Sequence, residues 1–77
     1  MAINKAQQEI LDILDLSGGP ETVYNPFTTV AVELDARGVA LYDYILGCEI
    51  TGEYGNFDQA RYLFAELYPD AYIKLID

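Results

Sequence analysis

Residues 35–51, DARGVALYDYILGCEIT, decide the fold. Asp35 is a helix-capping residue, and no proline or turn signal interrupts the segment behind it. Val39, Leu41, Tyr42, Ile45, Leu46, Cys48 and Ile50 cover more than half of the helical circumference. A helix apolar over so wide an arc needs neighbours, so a central, most buried helix is predicted from Asp35 to about Thr51. Ala40, Gly47 and Thr51 form a small-residue strip on the remaining side, where another backbone has room to approach closely. One acid breaks the pattern, because Glu49 falls inside the apolar arc between Ile45 and Tyr42. Either it is buried and paired with Arg37, Arg61 or Lys74, or the helix end leaves the core and Glu49 stands in solvent. Its place in the last turn favours solvent.

Working outward, Gly52-Glu53-Tyr54-Gly55 has the composition of a turn, after which Asn56 is expected to cap a third helix from Phe57 to Tyr68. Phe57, Ala60, Leu63, Phe64 and Leu67 would face inward, with Asp58, Gln59, Tyr62 and Glu66 outward. Pro69 would end that helix, and Asp70 would cap a last turn from Ala71 to Ile76. On the other side, Thr22-Val23-Tyr24, a turn at Asn25-Pro26, and Phe27 to Leu34 change to the alternating period of extended chain. A short hairpin or an extended arm fits that segment, and two strands alone are barely stable, so it must lie on the helices. Further back, Ile3, Ala6, Ile10, Leu11, Ile13 and Leu14 share one face of a first helix from Asn4 to Leu16. Asn4 would cap that helix, and Ser17-Gly18-Gly19-Pro20 would stop it. The predicted fold is mainly α: three to four helices, with a short β-hairpin or extended segment between helix 1 and helix 2.

Length and composition set the class. At 77 residues the chain makes a single small helical domain, 1–77, with little core to spare. Hydrophobic residues at 52% argue against disorder and leave apolar surface for a partner or subunit. The longest apolar runs fall far short of the roughly 20 residues that span a bilayer. Met1-Ala2-Ile3-Asn4-Lys5 leads into an amphipathic pattern rather than a signal peptide, so the cytoplasm is the expected location. The formal net charge is −9, which repels phosphate backbones and anionic headgroups and favours a partner with a basic surface. Direct binding to nucleic acid or membrane is therefore not expected.

The chemistry is defined by an absence. The chain has no histidine, so the commonest general base and the commonest zinc ligand are both missing. Cys48, the one cysteine, has no activating imidazole and lies on the core side of its helix, where an inert small hydrophobe is expected. No phosphate-binding glycine loop and no calcium-loop pattern occur. No enzyme activity, cofactor or metal is expected. Asn25-Pro26-Phe27 spells a peptide read by endocytic adaptor domains, but Asn-Pro is the ordinary opening of a turn.

The expected working part is the exterior. Seven tyrosines stand out, and Tyr44, Tyr62 and Tyr72 are those expected outside the core. Tyr62 lies one helical turn from both Asp58 and Glu66. Asp58, Tyr62, Glu66, Asp70 beyond the bend, and Tyr72 make a candidate acidic-aromatic surface for a basic partner protein. The alternative is a homodimer or larger self-assembly, using the small-residue strip or an exposed hairpin edge.

The runs Val23-Tyr24-Asn25-Pro26-Phe27-Thr28, Ala40-Leu41-Tyr42-Asp43-Tyr44-Ile45, Phe57-Asp58-Gln59-Ala60-Arg61-Tyr62-Leu63-Phe64 and Leu67-Tyr68-Pro69 resemble small acidic proteins encoded by tailed phages. The resemblance covers residues 23–77. Those proteins have no agreed activity, so what it implies is a setting, a phage product made in a bacterial cytoplasm. By kind, it implies an inhibitor or modulator of a host protein, such as a nucleic-acid-handling or defence complex in the manner of anti-CRISPR proteins.

Overall fold

The computed structural model describes residues 3–25 and 27–76. The described residues form four helices, α1 (Lys5–Ile13), α2 (Ala36–Thr51), α3 (Tyr54–Leu67) and α4 (Pro69–Leu75). Two strands, β1 (Glu21–Tyr24) and β2 (Ala31–Leu34), pair antiparallel between α1 and α2, with Glu21 opposite Leu34 and Tyr24 opposite Ala31. The chain is mainly α with a true hairpin.

Asn4 caps α1 in a reciprocal box. Its Oδ1 accepts from the Gln7 N–H at 2.8 Å, and Gln7 Oε1 accepts from the Asn4 N–H at 3.1 Å. The Asn4 amide also donates to Gln59 on α3 at 2.9 Å, so Gln7 is buried although it lies off the apolar stripe. The helix stops at Ile13, short of Leu16. Asp15 accepts from the Ser17 N–H at 2.9 Å, a local turn that competes with further helical bonds. The inward face is correspondingly narrower than the wheel predicted. Ile10 is buried, but Ala6 is exposed and Ile13 is 68% exposed.

The second strand also begins later than predicted, at Ala31 rather than Phe27. Asn25 folds the intervening residues into a loop by using every polar group it has. Its N–H donates to Val30 O and its C=O accepts from the Thr29 N–H, both at 2.9 Å. Its side-chain oxygen accepts from the Phe27 N–H at 2.8 Å, and its amide donates to Lys74 O on α4 at 2.9 Å. Thr29 closes the loop at φ 60°, a left-handed conformation costly for a β-branched residue. The turn expected at Asn25-Pro26 is thus a tethered loop; Pro26 itself lies outside the described residues.

Helix α2 follows its prediction closely. Asp35 Oδ1 accepts from the Gly38 N–H at 2.8 Å, and Gly52 ends the helix at φ 78°. Val39, Leu41, Tyr42, Ile45 and Cys48 are buried, but Leu46 is 41% exposed and Ile50 is 85% exposed. The apolar arc is wider than the neighbours can cover. The small-residue strip is half-buried at Ala40 but open at Gly47, where a built Cβ meets nothing within 4 Å. The close approach occurs at Gly38 instead, where a Cβ would meet Leu34 Cβ at 3.1 Å and Tyr68 Cζ at 3.2 Å.

Helix α3 starts at Tyr54, not Phe57, and Asn56 lies inside its first turn rather than capping it. Left-handed Gly52 and the Glu53 N–H bond to Cys48 O at 3.0 Å reverse the chain at once, so no longer turn is needed. Pro69 opens α4 at its first position instead of merely ending α3, and Asp70 sits in the first turn of α4 without capping it. Helix α3 packs against α1, α2 and α4. Its Leu63 and Phe64, with Leu41 of α2, are the largest fully buried side chains. The Phe64 ring lies 6.2 Å from Tyr42 and 5.4 Å from Tyr68 between centroids, distances at which aromatic pairs attract.

Candidate functional site

Burial of Ala60, Leu63 and Phe64 fixes which side of α3 meets solvent. Asp58, Tyr62 and Glu66 are exposed on that side at successive turns, with Tyr62 at 55%. Arg61 sits beside them. Its guanidinium carbon is 5.4 Å from the Tyr62 ring centre and 5.8 Å from that of Phe57, and a terminal nitrogen is 3.7 Å from Asp58 Oδ1. That contact is the one ion pair among the described residues. The Arg61 Nε is enclosed and finds no hydrogen-bond acceptor among them.

The other two members of the predicted surface, Asp70 and Tyr72, lie on α4. Asp70 is exposed on α4 beyond the bend at Tyr68. Tyr72 is half-buried and packs against the core, as does Tyr44, because both lie on the margins of faces turned inward. Tyr24 and Tyr54, not singled out by pattern, are exposed instead. Tyr72 thus turns inward, leaving Asp58, Tyr62 and Glu66 exposed on α3 and Asp70 exposed on α4.

Glu49 is exposed and forms no ion pair among the described residues, which excludes the buried acid and matches the solvent alternative. It stands at the edge of a second feature that sequence did not disclose. A groove of about 530 Å³ opens between α2, α3 and the hairpin loop, floored by Ile45, Phe57 and Leu75. Leu46 and Phe27 form its apolar rim, and Phe27 is 93% exposed. Among the described lining residues Glu49 is the one acid and Arg61 the one base. Tyr42 also lines it. Burial, reinforced by the nearby Asp43 and Glu49 carboxylates, pushes its hydroxyl pKa up, so the group stays protonated. The available signal was the surplus apolar arc of α2; alternation from Phe27 to Leu34 masked the loop.

Cys48 is buried and unpaired by disulfide. Among the described residues no three His, Cys, Asp or Glu side chains gather closely enough to hold a metal ion. Among the described residues no helix is long and apolar enough to cross a membrane. No family model, curated protein or solved structure matches the chain.

Proposed function

We propose that this is a non-enzymatic interaction protein that binds a basic host protein through Asp58, Tyr62 and Glu66 and so inhibits or modulates it. The observation that carries this is Tyr62, half-exposed between two exposed carboxylates on a helix that buries Ala60, Leu63 and Phe64 on its other side. A tyrosine held on a rigid helix offers a large contact area at little entropic cost. The flanking acids, within a chain of net charge −9, attract a lysine- and arginine-rich surface and raise its rate of encounter. A surface built to grip phosphates is the natural complement, which points to a nucleic-acid-handling or defence protein. The likeness to tailed-phage proteins gives the bacterial cytoplasm as the setting. Absence of histidine and burial of the one cysteine support a role in binding rather than turnover.

Affinity capture from a bacterial lysate tests the proposal, with the wild-type chain beside an Asp58→Asn, Tyr62→Ala, Glu66→Gln triple variant. The expected outcome is a basic protein retained by wild type, lost by the variant, and released as the Debye length falls from about 10 Å to about 3 Å. A protein retained equally by both chains would count against this surface.

A further inference from the structure

We infer that the groove between α2, α3 and the hairpin loop is a self-association site in which Phe27 of one copy enters the groove of a second copy, and the reverse. This goes beyond the acidic surface and does not depend on it.

Phe27 is 93% exposed, and its backbone is tied down. Its own N–H is held by Asn25 Oδ1, and Asn25 is in turn anchored to Lys74 O. Ordering this side chain at an interface therefore loses little backbone entropy, the advantage of a preorganised anchor. The cavity beside it, about 530 Å³ with Ile45, Leu46 and Leu75 on its walls, has room for an aromatic ring. Knob and hole lie on one face. A twofold axis there gives the reciprocal contacts an isologous dimer requires.

Charge selects the occupant. The chain as a whole carries −9, so two copies repel across most of their surfaces. The described residues lining the groove contribute one acid, Glu49, and one base, Arg61, which Asp58 meets from outside the lining at 3.7 Å, so the groove carries little of that charge. A basic partner gains less from such a face than from one lined by carboxylates, whereas a second copy meets less repulsion there. A standard interface takes about 800 Å² from each partner, roughly a sixth of the 4915 Å² surface of one copy.

Sedimentation equilibrium on the full chain tests this, from about 5 to about 500 µM. Wild type should show a mass approaching twice 8.6 kDa. Phe27→Ala should weaken the dimer at least about tenfold, with an unchanged circular dichroism spectrum because so exposed a ring contributes little to the monomer. Ile13→Ala, at another exposed apolar residue that lies outside the groove, should leave the dimer as it was. Raising salt from about 0.1 to about 1 M should tighten the dimer by screening like charges, the reverse of its effect on a complex made through the acidic surface. A wild-type monomer throughout the range would overturn the inference. So would Phe27→Ala behaving as wild type, or Ile13→Ala weakening the dimer equally.

Discussion

The Tyr68 hydroxyl donates to Asp35 Oδ1 at 2.7 Å, tying the bend between α3 and α4 to the cap of α2. The same hydroxyl accepts from Arg37 Nε at 2.9 Å, while the same carboxylate oxygen caps the Gly38 N–H. Two residues from distant parts of the chain thus hold three helix ends in register. Tyr68→Phe removes both hydroxyl bonds and leaves the ring packing. It should lower stability by about 1 kcal/mol, the size of a partly exposed hydrogen bond, readable as a shift of the urea midpoint without a change of slope.

This linkage has a pH signature. The Tyr68 hydroxyl first, then the Gly38 N–H, hold the Asp35 carboxyl below its ordinary value of 3.8; burial opposes them, and the Arg37 charge adds the smallest contribution. A carboxyl whose pKa is lower in the folded state stabilises fully above the ordinary value, and that stability is lost as pH falls through the folded one. The Asp35 contribution to the urea midpoint should therefore be lost as pH is lowered from 3.8 toward the folded value, against the relief that protonating the other carboxylates brings. Tyr68→Phe should flatten that acid limb while leaving its neutral-pH offset in place. An identical acid limb in both proteins would mean that Asp35 gains nothing from the hydroxyl.

Two glycines of α2 should respond to alanine with opposite signs. At Gly47 there is open space, so Gly47→Ala should stabilise by about 0.5–1 kcal/mol through helix propensity alone. At Gly38 the added methyl would sit 3.1 Å from Leu34 Cβ and 3.2 Å from Tyr68 Cζ. Neither neighbour yields easily, because one is close to its backbone and the other is bonded to Asp35 and Arg37. Gly38→Ala should therefore destabilise despite the same propensity gain. Thermal melts of the two variants beside wild type provide the check.

The pattern that defined α2 was legible because cap, apolar repeat and left-handed stop all agreed locally, at Asp35, Ile45 and Gly52. The hairpin was legible as strands but not in extent. Alternation continues through Phe27 to Val30, whereas the loop is imposed by Asn25 reaching Lys74, a contact between residues far apart in sequence. The same applies to the candidate surfaces. Asp58, Tyr62 and Glu66 share a face by helix period alone. Tyr72 and the groove depend on how α4 and the loop dock, which no local pattern encodes.

Asn25 should accordingly be the most sensitive polar residue of the hairpin. Asn25→Ala leaves the Lys74 carbonyl and the Phe27 N–H without their partners, in a position that is itself buried. The expected loss is about 2 kcal/mol, from two hydrogen bonds and the partly buried groups left unpaired. Because the loop carries Phe27, the same variant should weaken self-association beyond what partial unfolding explains. Comparing hydrogen exchange at residues 27–34 with that in α3 separates a released loop from global loosening.

Net charge makes the last prediction. Thirteen carboxylates face four basic residues in a molecule whose Cα radius of gyration is 11.8 Å, close to the Debye length of about 10 Å at 0.1 M salt. Most like charges therefore feel one another at low ionic strength, and folding holds them closer than the unfolded chain does. The one described ion pair, Arg61 with Asp58 at 3.7 Å, is too weak and exposed to offset that repulsion. The melting temperature at neutral pH should rise as salt increases from about 0.01 to about 0.5 M, and rise equally in Phe27→Ala at concentrations where both proteins are monomers. A melting temperature that falls with salt would show that local attractions outweigh the overall repulsion.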